Sequence, residues 1–214
     1  MTEIEELVER ISREPPKAGE YSILLRMAAG LFIGASGAAV IHAGFGAIAG
    51  SDDVLSAIRP STAKIAYSTA LAAAAAAFAS QIAAPETRIS RSHLLVLAPV
   101  MIMAMIAMTE LFLTPIDNWL PLMTAFGVSS CLSAILLTAP PIFAGLVWSF
   151  RRFAPTDLRA AGAAIGALSG ATAGALYAAI SGQASACFVF LWYSCAVAIT
   201  TVAGALAGRF LLRW

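Results

Sequence analysis

The chain has 214 residues, of which 60% are hydrophobic and only 12% are charged. Soluble domains carry about a quarter charged residues, so this composition excludes an ordinary soluble domain and indicates an integral membrane protein. The formal net charge of +1 gives no sign of a nucleic-acid-binding surface, so no direct contact with nucleic acid is expected.

The chain begins with a polar tail in which residues 2–13 have the pattern of an amphipathic helix. Thr2 and Glu5 have the spacing of a capping box, and the pair Pro15-Pro16 ends the helix. Its apolar stripe, called the tail stripe below, consists of Ile4, Leu7, Val8 and Ile11. Helices that lie on membranes are usually rich in Lys and Arg, whereas this tail is rich in glutamate. The stripe is therefore expected to bind a protein partner, with packing on the protein's own cytoplasmic loops as the alternative.

Six apolar runs are long enough to cross the roughly 30 Å hydrocarbon core of a bilayer. They lie at about residues 23–48, 63–84, 94–114, 128–149, 159–180 and 188–212. The predicted fold is all-α and polytopic. It consists of a six-transmembrane-helix bundle in residues 23–214 and a cytoplasmic amphipathic tail in residues 1–22.

Lysine and arginine are distributed unequally between the two sides of these spans. Eleven of the thirteen lie on the side of the amino terminus, and only Arg59 and Lys64 lie on the other side. Because cytoplasmic loops carry the excess of basic residues, both termini are expected in the cytoplasm. The loops near Asp52, Asp117 and Ser181 then face the outside.

Two outer loops and two ionisable residues have patterns of their own. The loop at 51–64 is expected to contain a short helix, and the loop at 115–127 a shallow turn or helix. His42 and Glu110 lie near the outer ends of the first and third spans. Ionisable residues at such depth are functional candidates, and the alternative is that both side chains snorkel to the interface.

Glycines recur at four-residue intervals in the fifth span, where they are Gly162, Gly166, Gly170 and Gly174. This spacing places them on one helix face, and small residues at such spacing let helices approach closely in lipid. The last run repeats the pattern with Gly204 and Gly208, and the first run repeats it with Gly30, Gly34 and Gly37. We expect the glycine face of the fifth span to pack against another span.

The sequence gives no basis for an enzyme, a cofactor or a metal site. It contains no carboxylate pair, Cys-x-x-Cys motif, glycine-rich phosphate loop or Ser/His/Asp set at a recognisable spacing. Four methionines in the third span are spaced so that they scatter around the helix, which favours adaptable filler over a soft-metal site. These are Met101, Met103, Met105 and Met108.

The three cysteines differ in their predicted depth. Cys131 lies at the outer end of the fourth span and Cys187 in the loop that opens the sixth, so both are expected on the oxidising side. Cys195 lies about two turns deeper. Cys131 and Cys187 are expected to form an oxidisable pair if their Cα atoms come within about 7 Å, with Cys195 buried and inert. The alternative is that all three are small apolar residues packed in the bundle.

Several motifs in the second half of the chain occur together in one known family. They are Cys131 before the fourth span, Pro140-Pro141, the RRFAP loop at 151–155, the glycine-rich fifth span, Trp192-Tyr193 and the terminal segment at 209–214. This pattern resembles the NrsF-type family of membrane-bound negative regulators of sigma F. Family members usually carry a His-Cys-Pro motif after the fifth span, and Ile180, Ser181 and Gly182 stand there in this chain. Cys187 is the candidate replacement for the missing cysteine.

The resemblance implies an anti-sigma factor in the bacterial inner membrane, with a sigma factor and the lipid bilayer as its partners. Such a protein would sequester an extracytoplasmic-function sigma factor and release it on metal or oxidative stress in the periplasm. The tail stripe would then bind the sigma factor. A small membrane carrier or channel is the alternative, but a carrier should place polar residues near the bilayer midplane, where this sequence has few. The sequence does not give the oligomeric state.

Overall fold

A computed structural model describes residues 20–49, 62–83, 93–124, 127–153, 157–182 and 185–212, with side chains described except at 20–22, 41–49 and 93–95. The tail stripe and the short helix expected in the loop at 51–64 lie outside these ranges. The described residues are helical and include no strand.

The described helices follow the six predicted spans closely. They are α1 (Glu20–Ala49), α2 (Thr62–Ala83), α3 (His93–Leu113), α4 (Trp119–Thr124), α5 (Val128–Phe150), α6 (Leu158–Ile180) and α7 (Ala186–Leu211). All except α4 contain a segment long and apolar enough to cross a membrane. The prediction of six long apolar helices is confirmed, since bilayer-length apolar runs in a single chain form helices that satisfy their own backbone groups.

Short polar or glycine residues fix where three of these helices begin. The Asp157 side chain caps α6 by accepting hydrogen bonds from the backbone N–H groups of Arg159 and Ala160, at 2.9 and 3.1 Å. Ser185 caps α7 by accepting from the backbone N–H of Phe188 at 3.0 Å. Such caps satisfy N–H groups that have no partner within the helix. Gly127, with φ of 75°, precedes α5.

The helix α6 lies at the centre of the bundle. In its apolar segment 56% of the residues are buried, against 11% in that of α3. The helix packs against α7, α2 and α5. The helix α1 packs mainly against α5, and α3 packs against α2 and the start of α7. Three of the four methionines on peripheral α3 are exposed and Met103 alone among them is buried, so most of them lie on the surface and do not fill the core.

Close glycine contacts join the helices in two pairs, and they confirm the predicted role of the glycine face. On α6, a Cβ atom added to Gly162 would overlap the backbone of Gly204 in α7, and one added to Gly166 would overlap the backbone of Thr200. On α1, a Cβ added to Gly34 would lie 2.5 Å from the Cα of Ile142 in α5. The absence of side chains at these positions allows the backbones to approach this closely.

The loop at 115–127 contains a short helix, which is one of the two forms expected for it. A 3₁₀ turn (Ile116–Asn118) leads into α4, and the indole N–H of Trp119 donates to the carbonyl of Thr114 at 3.0 Å. Two further bonds tie α4 to α7. The Ser185 hydroxyl donates to the carbonyl of Leu122 at 2.8 Å, and the indole N–H of Trp192 donates to that of Met123 at 2.9 Å.

Candidate functional site

A fully buried lysine connects α2 to the end of α6. Lys64 lies in the first turn of α2 with 0% of its surface exposed, although lysine is almost never fully buried unless it is paired. Its Nζ donates to the Ser181 carbonyl at 2.6 Å, to the Ser181 hydroxyl at 2.9 Å and to the Gly182 carbonyl. The last carbonyls of a helix have no intrahelical donor and carry its negative dipole end. The ammonium therefore supplies hydrogen-bond donors to the oxygens at the end of α6, and these oxygens supply its acceptors.

Two more helices contribute side chains beside this lysine. Cys131, in the first turn of α5, is 0% exposed, and its thiol lies within electrostatic range of the Lys64 ammonium. The hydroxyl of Tyr193 in α7 interacts with the Ser181 side chain. The ring of Tyr193 lies 6.1 Å from that of Tyr177 between centroids. We call Lys64, Cys131, Ser181, Gly182 and Tyr193 the polar cluster, because four helices meet there.

A π-helical stretch in α7 ends at the polar cluster. Residues Val189–Tyr193 form this stretch, and Tyr193 is buried at its end. Such π segments are rare and occur frequently at functional sites. At the next residue, the hydroxyl groups of Ser194 and Tyr67 lie 2.7 Å apart, which joins α7 to α2.

Glu110 anchors the start of α7 to α3. Its Oε2 accepts a hydrogen bond from the backbone N–H of Cys187 at 3.0 Å. The Cys187 thiol donates to the carbonyl of Ala107 at 3.0 Å. Glu110 was a functional candidate from its depth in the membrane, and in the structure its carboxylate satisfies an N–H at a helix start that lacks an intrahelical partner.

The structure gives the predicted cysteine pair two different sets of neighbours. Cys131 lies beside Lys64, whereas Cys187 contacts α3, and both are free thiols. The expectation that Cys195 is buried is wrong, because Cys195 is partly exposed, whereas Cys131 and Cys187 are buried. Gly127 and Ser185 start their helices ahead of the two outer cysteines. Both cysteines therefore lie in helical first turns that neighbouring helices cover.

The two ends of the bundle are built differently. The helices α1 and α5 run antiparallel, with Gly30 opposite Gly145, so the start of α1 lies beside the end of α5. At that end, Nε of Arg151 donates to the carbonyl of Leu211 at 2.8 Å, and the Arg152 guanidinium lies 5.9 Å from the Trp148 ring centroid. The start of α1, residues 151–153 and the end of α7 therefore share one end of the bundle, and the polar cluster occupies the other.

Sequence reasoning placed some site residues and missed others. The tail stripe residues Ile4, Leu7, Val8 and Ile11 lie outside the described residues. From the sequence, Lys64 contributed only to the orientation of the spans, although a lysine inside an apolar span itself indicates a functional site. Ser181 was identified only by the cysteine that it replaces. Among the described residues, no group of three or more His, Cys, Asp or Glu side chains could hold a metal ion.

Comparisons with known proteins agree on one family. A family model described as "Negative regulator of sigma F" (NrsF) matches residues 7–214. The chain is 37% identical over 95 residues to the anti-sigma-F factor NrsF of Caulobacter vibrioides (strain NA1000 / CB15N), a match covering 44% of each chain. It is 35% identical over 85 residues to the probable anti-sigma-F factor NrsF of Azospira oryzae (strain ATCC BAA-33 / DSM 13638 / PS), covering 40% of each chain. These matches span less than half the length of the curated relatives, and no solved structure matches the chain.

Proposed function

The chain belongs to the NrsF family of negative regulators of sigma F, and on this premise we propose that it is a membrane-bound anti-sigma factor. It holds an extracytoplasmic-function sigma factor at the bacterial inner membrane and releases it when a metal or oxidative stress acts from the periplasm. The family match over residues 7–214 carries this proposal, and six helices able to span a membrane support it. Family membership also implies a regulatory role and not an enzymatic one.

We further propose that the tail stripe binds the sigma factor. The chain enters α1 at Glu20, beside the end of α5, so a rearrangement of the bundle has a short path to residues 2–13. Burying four such side chains contributes about 6 to 12 kcal/mol, and association costs of about 4 to 15 kcal/mol offset much of this. Moderate affinity of this kind suits an interaction that has to be released, and the glutamates of the tail steer it toward a basic surface of the partner.

Cys131 and Cys187 are the proposed sensing pair. Both thiols are free, and Cys187 is held to α3 by hydrogen bonds to Ala107 and Glu110. When a two-electron oxidant joins them, two electrons pass to the oxidant, two protons leave and one S–S bond forms. The Cys187 thiol donates a hydrogen bond to the Ala107 carbonyl. Forming the disulfide breaks this hydrogen bond and changes how the start of α7 is held. The bundle that contains the disulfide therefore differs in arrangement from the bundle with free thiols.

The second hypothesis, a small carrier or channel, has less support. A carrier binds its substrate near the midplane with polar groups or broken helices. A groove of about 290 Å³ lies between α5, α6 and α7, but its lining is mostly apolar, and Ser169 and Thr200 supply its hydroxyl groups. The family match favours the regulator over the carrier.

The experiment measures binding of the sigma factor to the purified full-length protein in detergent. The double variant Leu7→Asp/Ile11→Asp removes half of the tail stripe, so we expect binding to weaken at least about 100-fold. Ser12→Asp is the control, because it adds a carboxylate beside the stripe without removing a stripe residue, and it should retain most of the binding. If the double variant binds as tightly as the unmodified protein, the tail proposal is wrong and the loop at 151–157 becomes the candidate surface.

A further inference from the structure

Three oxygen atoms at the end of α6 converge on one cation. They are the carbonyl oxygens of Ser181 and Gly182 and the hydroxyl oxygen of Ser181, and all three accept hydrogen bonds from Nζ of Lys64. We call them the oxygen cup. An ammonium group has three donors and no acceptor, so the cup satisfies it completely.

Lys64 and the oxygen cup depend on each other. A buried ammonium without partners costs far more than a neutral polar group, and breaking a buried charged contact by removing one partner is strongly destabilising. The cup in turn is the negative end of the α6 dipole, where carbonyls need donors. Because Lys64 is on α2 and its partners are 117 and 118 residues away, this mutual dependence fixes the outer end of α2 to the end of α6.

Lys64 is the one charged residue of α2, whose other buried residues are mostly apolar, such as Leu71 and Ala75. Close backbone contacts of glycine join α6 to α7 along their lengths, whereas the α6 glycine nearest to α2, Gly174, lies only at van der Waals distance from Ser68. The Ser68 hydroxyl is buried without a hydrogen-bond partner.

We propose that the oxygen cup is a site for a monovalent ammonium-type cation that the chain fills with its own Lys64, and that this contact locks the arrangement which retains the sigma factor. The part about retention rests on the proposed function. Withdrawal of Lys64 removes the polar contact between α2 and the end of α6, and it takes a neighbour from Ser181, whose side chain interacts with the Tyr193 hydroxyl. The change then reaches α7 through its π segment and weakens the hold on the partner.

The test uses Lys64→Ala, which removes three carbons and the ammonium, together with an added amine of the same shape. The purified full-length variant in detergent should melt at a lower temperature than the unmodified protein and retain the sigma factor at least tenfold more weakly. Propylammonium should restore both values by entering the cup. Tetramethylammonium, which carries the charge but has no N–H donor, should restore neither.

Two further variants keep the test decisive if Lys64→Ala does not fold. Ser181→Ala removes one of the three acceptors and should give a smaller fall in melting temperature. Ser36→Ala is the matched control, because it removes an exposed serine hydroxyl that donates only to the Phe32 carbonyl within α1, so it should leave the melting temperature unchanged.

The outcomes separate the parts of the proposal. The lock would be overturned if Lys64→Ala melts at the same temperature as the unmodified protein, or if Ser181→Ala does so where Lys64→Ala does not fold. The cation site would be overturned if propylammonium fails to restore the melting temperature. A lower melting temperature with undiminished sigma-factor retention would overturn the coupling to partner binding. If the unmodified protein binds no sigma factor, the proposed function fails, while the melting measurements still decide the cation site.

Discussion

Gly162 of α6 and Gly204 of α7 face each other so closely that a Cβ atom added to either would overlap the carbonyl oxygen of the other. This reciprocal contact continues toward the end of α7, where Gly208 lies against the backbone of Gly162 and Leu158. In lipid, helices associate through close packing and not through the hydrophobic effect. The α6–α7 seam is therefore a principal source of stability in the bundle.

The first prediction concerns this seam. Gly162→Val should lower the free energy of unfolding by about 1 to 3 kcal/mol or more, because the side chain has no space and the backbones have to separate. Ala198→Val is the control, since it adds bulk at an exposed position of α7 outside the groove shared with α6. The measurement is thermal melting of both variants in the same detergent. Equal melting temperatures for the two variants would contradict the importance of the seam.

The sequence predicted what depends on local pattern and missed what depends on distant contacts. The spans follow from apolar runs of bilayer length, and the glycine seam follows from four-residue spacing on one helix. The lock between Lys64 and Ser181 joins residues 117 positions apart, so no local pattern reveals it. The expected burial of Cys195 was wrong for the same reason, because the exposure of a cysteine depends on which helices cover it.

The second prediction concerns the topology, in which both termini are cytoplasmic. In a variant whose native cysteines are replaced, Gly182→Cys should react with a membrane-impermeant maleimide added to intact cells, since Gly182 is exposed beside the polar cluster. Thr156→Cys should react only after the membrane is made permeable. Rapid labelling of Thr156→Cys in intact cells would show that the orientation is reversed.

The third prediction concerns Glu110 and the start of α7. Glu110→Ala removes the acceptor of the Cys187 backbone N–H, a contact comparable to a helix cap worth about 1 kcal/mol. The first turn of α7 should open about five times more often, and a thiol reagent should modify Cys187 correspondingly faster. Glu110→Gln retains an acceptor oxygen and is the matched control. If Glu110→Ala and the unmodified protein react at the same rate, the carboxylate does not hold this turn.

The fourth prediction concerns the proposed sensing pair. Mild oxidation of the unmodified protein should produce a faster-migrating species on non-reducing electrophoresis, because a disulfide between Cys131 and Cys187 makes the denatured chain more compact. Cys131→Ser and Cys187→Ser should each abolish this species, while Cys195→Ser should retain it. Thiol sensing through this pair should be dropped if oxidation leaves the mobility unchanged, or if the shift persists without Cys187.

The most direct test of the account is to solubilise the full-length protein gently from its own cell and to identify the proteins that co-purify with it. An extracytoplasmic-function sigma factor should co-purify in near-stoichiometric amount with the unmodified protein. It should be absent from the Leu7→Asp/Ile11→Asp variant, which still inserts into the membrane. Recovery of the intact protein without any sigma factor from unstressed cells would contradict the account.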